Sequence, residues 1–154
     1  MIIVSACLSG VKCRYDGQSR DNECVKKLVG QRKAIPLCPE VLGGRPVPRE
    51  PVEITGGTAE DVFSGKAVIR DKNGADVTTD VMKGVAEVLA AVRRLNIDTV
   101  VLKTKSPTCG CGQVYDGTFS GKLIDGDGIL TAALIKEGIK VYTEESINEI
   151  LDTL

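Results

Sequence analysis

Apolar and polar positions come in short blocks along this chain, and the blocks change period. MIIV at the start reads as a short buried strand over residues 1–6, followed by loop chemistry over residues 7–20. DNECVKKLVG has a plausible cap at Asp21 and a glycine stop at Gly30, which predicts a short helix. KAIPLCPE predicts a second strand running to Glu40. Five of the six prolines fall between Pro36 and Pro51. That density argues against a regular helix and predicts a stiff, extended loop, CPEVLGGRPVPREPVE. KAVIRDKNGADVT places Asn73-Gly74 between two β-prone runs, so a small β-hairpin insertion is expected near residues 66–78. From Thr79 to Leu95 the period becomes helical, with Val81, Val85, Val88, Leu89, Val92 and Leu95 on one face. DTVVLKTKS predicts a central buried strand, GILTAALIKEG a helix stopped by Gly138, and IKVYT the last strand. EESINEILDTL predicts a closing amphipathic helix with Ile147, Ile150, Leu151 and Leu154 on its inner face.

Strands alternating with helices define an α/β fold: one domain over 1–154, with a mostly parallel, Rossmann-like sheet flanked by helices. In such sheets ligands bind beyond the carboxyl ends of the strands. Three of those ends carry unusual residues. The first leads to Cys7, the second to Cys38-Pro39-Glu40, and the central one to Ser106-Pro107-Thr108-Cys109.

Composition narrows the function classes. The chain has 154 residues and a formal net charge of -1, so no strong overall field draws it to nucleic acid or a membrane surface. Aromatic residues are 3%, leaving few platforms for stacking the bases of a nucleic acid. No apolar run approaches a membrane span, and MIIV has no charged leader region before it, so the expected location is the cytoplasm. No repeat or low-complexity tract is present. The expected partner is a small molecule, and oligomeric state is not legible.

The chain has six cysteines and no histidine. The missing histidine removes the commonest general base and the usual nitrogen ligand for zinc. Cys7 and Cys13 share the first loop, and Cys109 lies on the loop of a later strand. Three thiolates at one end of a sheet could hold zinc with a fourth ligand or water. They could equally hold an iron–sulfur cluster with one iron exposed, which soft ligands without histidine suit. The C-x5-C spacing of Cys7 and Cys13 matches no common ferredoxin or zinc-ribbon pattern. A Cys7–Cys13 disulfide and a Cys109/Cys111 redox pair are the competing thiol chemistries. Cys24 reads as a small buried residue within a helix, a reading open to Cys38 as well. Glu40 could pair with Arg14, Arg45 or Arg49, and Ser106 before proline is an ordinary turn residue.

Four blocks, SACLSGVKCRYDG, CPEVLGGRPVPREP, LKTKSPTCG and YDGTFSGKL, together resemble the thiouracil desulfidase (TudS) family. The likeness runs from Ser5 to about the DGDGILTAALIKEGI segment. It implies a [4Fe-4S] cluster held by Cys7, Cys13 and Cys109, with one iron open to the sulfur of a thiolated base or nucleotide. It further implies Glu40 and Ser106 as the acid–base residues. Cys111 is not part of the family pattern. An open-iron cluster is oxygen-labile, so aerobic preparations are expected to lose it.

The reaction that the resemblance implies is a non-redox hydrolysis of a C–S bond, releasing hydrosulfide from a base such as thiouracil. Glu40 would assist water, and Ser106 would orient the substrate or relay a proton. Competing readings are a thiol redox or sulfur-carrier protein using Cys109 and Cys111, a cluster-binding module without turnover, and a structural zinc domain.

Overall fold

The structure, a computed structural model, describes residues 1–154. In chain order the elements are β1 (Ile2–Ser5), α1 (Glu23–Gly30), β2 (Ala34–Leu37), α2 (Pro39–Leu42), β3 (Val52–Thr55), α3 (Ala59–Phe63), β4 (Val68–Asp71), α4 (Thr78–Arg94), β5 (Thr99–Leu102), β6 (Gln113–Tyr115), β7 (Leu123–Asp125), α5 (Ile129–Lys136) and β8 (Lys140–Thr143). A parallel four-stranded sheet runs in the order β2-β1-β5-β8. Two antiparallel pairs, β3–β4 and β6–β7, stand apart from it. This is the α/β architecture expected from the block pattern. No helix is long and apolar enough to cross a membrane.

The central strands bury both faces, and their side chains sort by the two-residue period of a strand. Ile3, Val100 and Leu102 join an apolar cluster with α4 and α5. Ile2, Val4 and Val101 join the opposite cluster with Val25 and Leu28 of α1. The chain leaves β1 in one direction to make β2 and later returns on its other side to make β5. The order therefore reverses between β1 and β5, which opens a crevice beyond their carboxyl ends.

Several local expectations change. The second strand ends at Leu37 rather than Glu40, and the proline-rich segment begins with a helical turn, α2. Pro39 occupies its first turn, where a missing N–H removes no intrahelical bond. The cap of α1 is Asn22, whose side chain accepts from Val25 N, while Asp21 pairs with Lys26. Residues 7–20 are not all loop, because Ala6–Ser9 forms a 3-10 turn. The chain does reverse at Asn73-Gly74, but β4 finds its ladder on β3, with a single bridge from Arg70 to Asp76 beyond the turn.

On α4 the valines are buried, but Leu95 lies past the last turn and is exposed. The closing amphipathic helix is absent; Ile147–Glu149 and Leu151–Thr153 are two 3-10 turns. Ile147 and Ile150 are still buried. A spacing of three satisfies a three-residue turn as well as an α-helix, so apolar spacing alone does not separate the two.

Candidate active site

The crevice at the strand ends is a pocket of about 510 Å³. It is lined by Cys7 and Cys13 from the segment after β1, Cys38 just past β2, Glu40 from the first turn of α2, and Ser106 and Cys109 from the loop after β5. All five residues singled out in the sequence therefore meet here, together with Cys38. Cys24 and Cys111 do not line it. All six thiols are free, so Cys7 and Cys13 are not bridged.

Each donor is fixed by its backbone. Cys7 lies in the Ala6–Ser9 turn, which Gly10 closes in the left-handed region at φ 96°. The Cys7 carbonyl accepts from Arg20 N at 2.9 Å. The Cys109 loop is clamped by α5: Ile129 N donates to the Pro107 carbonyl, Leu130 N to that of Thr108, and Thr131 Oγ1 to that of Cys109. These bonds satisfy N–H groups that a helix start leaves unpaired. A Cβ on Gly128 would stand 2.5 Å from the Thr108 carbonyl oxygen, so only glycine permits this approach.

Ser106 Oγ accepts from Thr108 N and Cys109 N, both at 3.1 Å. It shapes the turn that carries Cys109, and its own proton stays available for another acceptor. Of the three arginines considered for Glu40, the structure selects Arg49. Arg49 Nη2 and Nε bond Glu40 Oε2 at 2.7 and 2.9 Å, and the Arg49 side chain is only 4% exposed. Thr108 Oγ1 donates to Glu40 Oε1 at 3.2 Å. Lys103 and Lys105 also line the pocket, and Glu144 holds Lys103 at 2.8 Å.

The thiols influence one another. A hydrogen bond from Cys38 favours the Cys13 thiolate, but contact with Cys7 and burial outweigh it, and the Cys13 thiol is pushed up to about 11. The bond to Cys13, and then burial, raises Cys38. Burial, and then the Glu40 charge, raises Cys109. Without a metal these groups stay protonated near neutrality, so loading one would release protons.

No three Cys, Asp or Glu side chains converge on a single ion position, as a mononuclear zinc site would require. Soft thiol donors without histidine, gathered around one pocket, suit an iron–sulfur group by their chemistry. Three buried, histidine-free soft donors therefore fit such a group.

Fold and pocket together define an α/β domain with a thiol-lined pocket at the switch point of its parallel sheet. The profile of the 2-thiouracil desulfurase family matches residues 2–146, and the chain belongs to that family. The uncharacterized protein YbbK of Bacillus subtilis (strain 168) is 49% identical over 151 residues, covering 98% of this chain and all of its own. The solved structure of a [4Fe-4S]-dependent thiouracil desulfidase, TudS, matches with a TM-score of 0.85 at 37% identity, covering 96% of this chain and 93% of that one.

Pocket residues that the sequence did not single out include Glu53, Tyr115 and Phe119. Arg49 appeared there only as a structural option, and Cys38 as part of the second strand end with a small buried residue as the alternative reading. Cys38 had a usable signal in its place at a strand end beside Glu40. Glu53 had none, because its partners lie more than sixty residues away.

Proposed function

We propose that this protein removes sulfur from a thiolated pyrimidine such as thiouracil by non-redox hydrolysis, with a [4Fe-4S] cluster held by Cys7, Cys13 and Cys109. The observation that carries this reading is the meeting of those thiols with Glu40 and Ser106 in one pocket, in a member of the desulfurase family. When bound, the cluster supplies one Lewis-acidic iron with no protein ligand, able to take the sulfur of the base.

The protein's own residues supply the rest. Arg49 occupies Glu40 Oε2 with two charge-assisted bonds, so Oε1, which accepts only the Thr108 hydroxyl, is the oxygen with a lone pair left to take a proton from water. Ser106 accepts two backbone N–H groups and turns its hydroxyl proton to the substrate. Water adds to the ring carbon, the C–S bond breaks, and hydrosulfide and a carbonyl result. No electrons enter or leave.

The test is anaerobic reconstitution with iron and sulfide, followed by iron counting, a visible spectrum and sulfide release from 2-thiouracil and 4-thiouracil. The expected result is about four irons per chain with sulfide release, both lost in Cys13→Ala. Glu40→Gln should keep the iron and lose the release. A wild-type protein that takes up no cluster would return the thiols to redox or structural roles.

A further inference from the structure

The tip of the β6–β7 hairpin carries a combination that folding alone does not account for. Glu53, on β3, is only 7% exposed and has no lysine or arginine partner. Its Oε1 accepts from Gly117 N at 2.9 Å and from Phe119 N at 3.2 Å. Gly117 has φ 91°, and a Cβ there would stand 2.5 Å from the Ile54 carbonyl oxygen, so the tip presses directly on β3. Phe119 itself sits at φ 56°, a region that bulky side chains rarely occupy. Such a conformation persists where its surroundings over-determine it. Here the buried carboxylate does so from below. Asp116, which accepts from Thr118 N and Oγ1, braces the turn from within.

The Phe119 ring has no packing role that would repay this arrangement. It joins neither apolar cluster, whereas Phe63 packs against the larger one. Of the chain's two phenylalanines and three tyrosines, Phe119, Tyr15 and Tyr115 all line the pocket. A chain poor in aromatics has concentrated them where a planar ring would bind, and face contact with a base is what an aromatic wall offers.

We propose that Phe119 is the stacking platform for the substrate base and that Glu53 is the positioning residue that aims it. This rests on the reading of the substrate as a thiolated base. The test uses reconstituted enzyme, with KM and kcat measured on 4-thiouracil and competitive inhibition by uracil measured alongside. Phe119→Leu should raise KM about tenfold, the scale of one lost base–aromatic stack, with kcat taking the smaller share. Uracil inhibition should weaken in parallel, and iron content and visible spectrum should match wild type. Phe119→Tyr keeps the ring and should restore KM.

Glu53→Ala should move KM in the same direction. Glu53→Gln keeps an acceptor oxygen and should fall between, and it carries the test should Glu53→Ala not fold. Wild-type values of KM and of uracil inhibition in Phe119→Leu would overturn the assignment of the ring. An unchanged KM in both Glu53 variants would overturn that of the carboxylate. Failure of wild-type enzyme to release sulfide would sink the desulfidase reading separately. Equilibrium dialysis with 4-thiouracil then decides the platform: weaker binding to Phe119→Leu supports it, and equal or no binding in wild type overturns it.

Discussion

The parallel sheet and the antiparallel pairs β3–β4 and β6–β7 meet around one pocket but are built by different rules. The sheet layer is held by apolar area: both faces of β1 and β5 are covered, and Val4, Val100 and Val101 are fully buried. It carries every thiol of the pocket, Glu40 and Ser106. Of the antiparallel pairs, β3–β4 shares that apolar core through Val52, Ile54 and Ile69, whereas the β6–β7 tip is held chiefly by the bonds from its backbone to Glu53. The β6–β7 pair carries Tyr115 and Phe119, and Tyr15 joins them from the loop after β1. The chemistry thus stands on the apolar frame, while Phe119 stands on a hairpin tip that rests on few polar bonds and is the part expected to open locally. A cluster needs ligands that do not drift, and a substrate needs a wall that can admit it.

The largest expected effect lies in the frame. Gly84 of α4 packs against α2 so closely that an added Cβ would stand 1.7 Å from the Pro39 carbonyl oxygen, and one on Gly43 would stand 2.0 Å from that of Asp80. Gly84→Ala must push α2 away, with Glu40 on it. A loss of more than about 3 kcal/mol in urea unfolding is expected, with reduced sulfide release. A change below about 1 kcal/mol would mean that α2 floats and that the frame does not fix Glu40.

The seam between the layers comes next. Arg49→Met strips Glu40 of its buried partner and should cost about 3 kcal/mol, because a carboxylate is left without compensation. Pairing it with Glu40→Gln should recover much of that loss, since no orphaned charge remains. A double variant no more stable than the single one would mean that Arg49 matters through packing instead.

The same division explains what the sequence makes legible. β1, β5 and α4 follow from local apolar period, and the strand-end rule brings Cys7, Cys13, Glu40, Ser106 and Cys109 together before any coordinates exist. α2 was hidden by its prolines, although Pro39 stands where proline is tolerated. α3 has a capping box between Thr58 and Asp61 but is only a turn and a half long, too short for periodicity to register. The hairpin tip is the least legible part. Its place depends on a single glutamate distant in sequence, and no periodicity encodes that pairing.

A smaller effect tests whether polar contacts also matter inside the frame. Glu144, after β8, accepts from Lys103 Nζ at 2.8 Å, Thr104 Oγ1 at 2.7 Å and Thr104 N at 3.0 Å. Burial pushes its carboxyl up, but these bonds outweigh it and hold the group below the ordinary glutamate range. A depressed folded value means stabilisation that is complete above the unfolded value, near 4.3, and is lost as pH falls through the folded one. Glu144→Gln should therefore cost about 1–2 kcal/mol at pH 7. The gap to wild type should close as the pH falls below about 4. A gap independent of pH would assign the loss to shape and not to charge.

The smallest effect is confined to the hairpin tip and is read by amide hydrogen exchange. Asp116→Ala removes the acceptor for Thr118 N and Oγ1 without touching either apolar cluster. The unfolding midpoint should stay where it is, because β5 and its neighbours keep every contact. The amides of Gly117, Thr118 and Phe119 should exchange faster, since the turn that presents them to Glu53 has lost its internal brace. Those of Val100 and Val101 should still exchange only through global unfolding. If the tip and β5 amides slowed and quickened together, the two layers would be one cooperative unit, and a wall that opens by itself to admit a base would have no basis. If only the tip responds, the wall can loosen around substrate while the thiols below it stay in register.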